Sequence, residues 1–91
     1  MPPKRVLGPR TPRLGALGRA IESARKTAGL NQEELGERMG IYSTQISALE
    51  RGQENPGYER LIELADALNT SVADLAALAD RIHDQSARAS K

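Results

Sequence analysis

The chemistry open to this chain is narrow. His83 is its one histidine, and it has no cysteine. Metal catalysis and Ser-His-Asp catalysis are therefore poorly supplied, and a cysteine-containing zinc site is excluded. Asp66, Asp74 and Asp80 lie on helical patterns with no partner carboxylate to form an acid pair, so they read as solubilising or capping groups. His83 reads as a solvent-facing residue near a helix end. No catalytic residue, metal site or cofactor is expected. What remains is a cluster of small hydrogen-bonding side chains, Ser43, Thr44, Gln45 and Ser47, interleaved with Ile46, Ala48 and Leu49 and preceded by Gly36 and Gly40. Such groups bind; they do not react.

The elements that hold this cluster follow from apolar spacing. Thr11-Pro12 has the form of an N-cap followed by proline at the first helical position. Leu14, Leu17, Ile21, Ala24 and Ala28 then recur at spacings of three and four, one face of a helix that Gly29 ends. Gly15 and Gly18 weaken its first turns. Asn31 caps a second, short helix with Glu33 and Glu34 in its positive first turn, and Gly40 closes it. A third runs from about Ser43 to Arg51 with Ile46 and Leu49 inward, stopped by Gly52. After the loop Gln53 to Gly57, a fourth spans about Tyr58 to Leu68, with Leu61, Ile62, Leu64, Ala65 and Leu68 inward. Ser71 caps a fifth, with Asp74 three residues on, and Val72, Leu75, Leu78, Ala79 and Ile82 carry its stripe to about His83. Residues 84–91 form a polar tail expected to fray. No segment alternates with period two, so the predicted class is all-α.

Charge is unevenly placed. Thirteen Lys and Arg against twelve Asp and Glu give the 91-residue chain a net +1. Residues 1–13 carry Lys4, Arg5, Arg10 and Arg13, no acid, and four of the five prolines. Residues 14–83 have seven bases against eleven acids. A basic, Pro-rich arm thus precedes an acidic body. Its composition predicts an extended segment, either a solubilising terminus or an arm that lies on phosphates or in a minor groove. No apolar run reaches the roughly 20 residues of a membrane span, and the first residues lack the apolar stretch of a signal peptide. A cytoplasmic location is expected, with no membrane partner.

Residues 32–51 are the informative stretch. Two short helices flank a turn around Gly40, where a positive φ is needed. Gly36 stands where a large side chain would push the helices apart. Leu35, Ile41, Ile46 and Leu49 lock them together. This pattern resembles the helix-turn-helix of the Cro/repressor type, also called the xenobiotic-response-element family of prokaryotic regulators. The resemblance extends to Arg25, Gly29-Leu30, Gln32 to Leu35, Gly40-Ile41, Ile46-Ser47, Glu50-Arg51-Gly52, Pro56, Leu61, Leu64-Ala65 and Leu68, covering about Leu14 to Leu78.

The resemblance implies a compact five-helix, lambda-repressor-like domain whose third helix reads the major groove of double-stranded DNA. Carried over residue by residue, it places Gln32 at the start of helix two, on a phosphate or on helix three. It places Ser43, Thr44 and Gln45 at the end that enters the groove, with Ser47 and Ala48 one turn further. Gln45 is expected to read adenine, and the methyl of Thr44 to meet thymine. Tyr42 replaces the usual Ser or Thr cap. Its hydroxyl reaches a phosphate or base edge, or its ring packs over the turn. Arg19, Arg38, Arg51 and Arg60 are candidate phosphate contacts, with Glu34 and Arg38 pairing on helix two. Arg25 and Glu50 are expected to form a structural ion pair. Leu75, Leu78 and Ile82 either meet a second copy in a homodimer or pack on their own domain.

The leading expectation is a sequence-specific DNA-binding regulator, a dimeric repressor, and not an enzyme. The alternative is an antitoxin or adaptor whose main partner is a protein, such as a toxin or a larger regulator.

Overall fold

A computed structural model describes residues 11–89. The chain forms α1 (Pro12–Thr27), α2 (Gln32–Met39), α3 (Ser43–Glu50), α4 (Gly57–Ala67) and α5 (Val72–Ala89), with no strand among the described residues. Local chemistry sets most boundaries. Thr11 Oγ1 accepts the Leu14 N–H at 3.0 Å, and Pro12 follows it, so α1 starts inside the segment assigned to the arm. Residues 1–10, which hold the rest of the arm, lie outside the described residues. At the other end of α1, Leu30 N–H returns to the Arg25 carbonyl at 3.1 Å, the wrap that a glycine at position 29 permits. Asn31 and Glu34 cap each other's backbone N–H groups at 2.7 and 2.9 Å. Ser71 Oγ accepts the Asp74 N–H at 3.0 Å.

One core joins the helices. Ile21 of α1, Leu35 of α2, Ile46 and Leu49 of α3, Leu64, Ala65 and Leu68 around α4, and Leu75 of α5 pack as one buried cluster. Each large member contributes about 1.5–3 kcal/mol by leaving water. α5 runs antiparallel to α1: its first turns lie beside Ser23–Ala28, and its last turns lie beside Thr11 and Pro12.

Several expectations are corrected here. α5 does not fray after His83 but continues to Ala89. Its outer turns are tied to α1, where Arg13 meets Asp80 at 3.0 Å and Arg19 donates to Ser86 Oγ at 2.8 Å. His83 is half-buried beside Gly15 and Arg19, not turned to solvent. Leu75 is 2% exposed and belongs to the core, so it is no dimer residue; Leu78 and Ile82 are half-buried. Ile62 is 36% exposed, because a helix turns about 100° per residue and Leu61, Leu64 and Ala65 take the inward face. Glu34 does not pair with Arg38. Its carboxylate is used at the α2 cap, and Arg38 Nη1 donates to the Ala67 carbonyl at 3.1 Å. Arg60 is paired with Glu63 at 3.0 Å.

Candidate nucleic-acid interface

The α2–α3 unit is held at a close turn. Gly40 has φ 71°, and the Ile41 N–H returns to the Gly36 carbonyl at 2.9 Å. A Cβ on Gly36 would stand 2.6 Å from the Ile41 carbonyl oxygen, so the turn itself, more than the facing helix, requires a bare backbone there. Leu35 and Ile46 are fully buried and fix the two helices to α1 and α4.

The C-terminal end of α3 is locked by charge. Arg25 and Glu50 are each 7% exposed. Arg25 Nε donates to Glu50 Oε2 at 2.6 Å and Nη2 donates to Oε1 at 3.1 Å, a two-pronged pair. Arg25 Nη1 donates to the Leu30 carbonyl at 2.8 Å, so one guanidinium joins α1, the α1–α2 loop and α3. Gln32 Nε2 adds a third donor to the carboxylate, at 3.0 Å from Oε1. The hydrogen bond to Glu50 raises the Arg25 pKa above its ordinary value, against the opposing effect of burial. A raised folded-state pKa gives stability that is complete below the unfolded value. It is lost only as pH rises through the folded one, so this contribution is constant across the neutral range.

Gly18 completes the lock, a role its place in the apolar spacing does not show. A Cβ there would fall on the Glu50 carbonyl oxygen and within 2.7 Å of the Leu49 carbonyl oxygen. α1 and α3 touch backbone to backbone at this point. The only signal in the sequence was a glycine inside a helix, which names no partner.

The N-terminal end of α3 is open. Tyr42 is 79% exposed, Thr44 is exposed, and Ser43, Gln45 and, one turn further along, Ser47 and Ala48 are half-buried. The Tyr42 side chain makes no cap, and its ring does not pack over the turn. Its backbone N–H instead donates to Gln45 Oε1 at 3.1 Å. The arginines are dispersed. Arg51 follows α3 and reaches back to the Ser47 carbonyl at 3.4 Å, while Arg19 and Arg38 each give one donor to the protein as described. Glu33 and Glu37 are exposed on α2. No helix among the described residues is long and apolar enough to cross a membrane.

Known proteins share this arrangement. The profile of the Helix-turn-helix family matches residues 21–75. Control protein C.SmaI of Serratia marcescens is 42% identical over 59 residues, covering 65% of this chain and 70% of that protein. The clp gene regulator ClgR of Corynebacterium glutamicum superposes with a TM-score of 0.84 at 32% identity, over 90% of this chain and 87% of that one. The restriction-modification controller protein C.AhdI of Aeromonas hydrophila gives 0.65 at 31% identity, over 68% and 94%. These relatives favour a regulator over an antitoxin or adaptor. With its five helices, its Gly40 turn and its α3 anchored at one end and open at the other, the chain belongs to the Cro/repressor-type helix-turn-helix family of DNA-binding transcriptional regulators.

Proposed function

We propose that the protein represses transcription as a homodimer, each copy placing the N-terminal end of α3 in the major groove of one operator half-site. The observation that carries this reading is the asymmetry of α3: its buried end is fixed to α1, while Tyr42, Ser43 and Thr44 stand exposed or half-exposed at the other. Ser47 and Ala48 continue that surface by one turn. Hydroxyls and short apolar groups suit base edges and thymine methyls.

Phosphate attraction falls to Arg19, Arg38 and Arg51 and to the basic residues before Thr11. An arginine carries five N–H donors, so the hydrogen bonds of Arg19 to Ser86 and of Arg38 to the Ala67 carbonyl leave others for a phosphate. The described body is acidic, and one copy alone binds weakly. Pairing compensates by setting two reading helices about 34 Å apart on one face of the duplex. We assign the pairing contact to apolar side chains left outside the core: Leu78 and Ile82 of α5, which are half-buried, and α4, where Tyr58 is 70% exposed and Ile62 lies one turn on.

Selection of bound duplexes from a random pool tests this reading. It expects a palindrome with half-sites about one helical turn apart. Enrichment of no sequence at low and at physiological salt would reject it.

A further inference from the structure

The resemblance to the Cro/repressor-type family implies that Gln45 reads adenine. An amide reads adenine with both of its groups at once, its oxygen accepting from N6 and its nitrogen donating to N7. In the folded protein one lone pair of that oxygen is already engaged, and the amide is turned back on its own helix end. Gln45 Oε1 accepts the Tyr42 N–H at 3.1 Å. The chemistry fixes this orientation, since a backbone N–H needs an acceptor and the amide nitrogen offers none. This bond is the reciprocal half of a capping box, in which the third helical residue accepts the N–H of the residue before the helix. Gln45 is half-buried, consistent with a side chain folded back on its own helix end.

Tyr42 shows the opposite. It is 79% exposed, more than either of the other large apolar side chains left outside the core, Tyr58 and Ile62. Its backbone is held by Gln45 on one side. On the other, its carbonyl accepts the N–H groups of Gln45 at 3.0 Å and Ile46 at 3.3 Å. A ring on a fixed backbone loses little freedom when it meets a ligand, and it brings a large apolar face with a polar tip.

We infer that Gln45 is a positioning residue that caps α3 and aims Tyr42, and that the Tyr42 ring determines specificity at one base pair of each half-site through contact with a base edge or thymine methyl. The inference rests on the DNA-reading function proposed above and divides the labour within it. The acidic residues of this region, Glu33, Glu34 and Glu37, lie on α2, and none lies on α3 before Glu50, so phosphate repulsion does not bar the ring from the groove.

The test is selection from a random duplex pool with the full chain and with Tyr42→Ala, Tyr42→Phe, Gln45→Ala and Gln45→Glu. Enrichment of no sequence by the natural chain would reject the DNA-reading function itself. Given an enriched half-site, Tyr42→Ala is expected to flatten the preference at one base pair about tenfold and to leave the others. Tyr42→Phe keeps the ring and restores most of that preference. Gln45→Glu keeps an oxygen for the Tyr42 N–H. It is expected to preserve every base preference while weakening binding evenly, as an added negative charge should. Gln45→Ala should lower the melting temperature by a few degrees and blur the same base pair as Tyr42→Ala. An adenine preference lost in both Gln45 variants and intact in Tyr42→Ala would overturn the inference. So would an unchanged profile in Tyr42→Ala.

Discussion

The two ends of α3, a helix of eight residues, are built on opposite principles. At Glu50 the side chain is buried, receives three charge-assisted or amide donors, and sits against a helix that can approach only because Gly18 has no Cβ. At Tyr42 and Thr44 the side chains are exposed, and a single amide caps the backbone. One end decides where the helix lies. The other is left to decide what it touches. A small domain divides the two tasks, since a side chain buried and held by several partners has no free face to offer a ligand.

The comparison breaks most sharply at the buried end. Glu50→Ala leaves Arg25 charged and buried with only the Leu30 carbonyl, a loss of about 3–5 kcal/mol. That is a large share of the stability of any small domain, so thermal denaturation should show a steep fall in melting temperature. An unchanged melting temperature would remove the pair from the account.

Next come two glycines of the same helix with effects of opposite sign. Gly18→Ala adds a methyl where α1 meets the α3 backbone, and overpacking of this kind costs about 1–3 kcal/mol despite the better helix propensity of alanine. A Cβ on Gly15 meets nothing within 4 Å, so Gly15→Ala should stabilise by about 0.5–1 kcal/mol. Denaturant titration of both variants checks the pair, and a common sign would contradict the backbone contact.

The open end should respond in binding and not in stability. Thr44→Ala is expected to leave the denaturation midpoint within about 0.5 kcal/mol and to weaken operator binding about tenfold. Smallest is the effect of residues 1–10. Removing Lys4, Arg5 and Arg10 while keeping the Thr11 cap should flatten the salt dependence of binding by up to about 0.9 per lost phosphate contact. An unchanged slope would take the arm out of the interface.

How much of this could be read in advance differs by the kind of contact. Helix starts at Thr11, Asn31 and Ser71 and the turn at Gly40 are local, each set by a few neighbouring residues, and the sequence shows them. Contacts through backbone or between polar groups are silent. The last turns of α5 carry no apolar stripe; they hold to α1 through Arg19 and Ser86, which looks in sequence like a solvated tail. Gly18 states only that a helix is weakened there. The polarity of Gln45 and Gln32 marks them as hydrogen-bonding, yet cannot say that one turns to the Tyr42 N–H and the other to Glu50. Leu75 reads as a surplus apolar residue until its partner helix α1 is in place.

The most direct test of the division within α3 is the sequence enriched from a random duplex pool by a Tyr42→Ala/Ser43→Ala/Thr44→Ala variant, set beside that of the natural chain. These positions are peripheral to the core, so the variant remains folded and the Arg25–Glu50 lock holds α3 in place. The account predicts that the enriched half-site disappears or changes. Recovery of the same half-site with the same base preferences would contradict it.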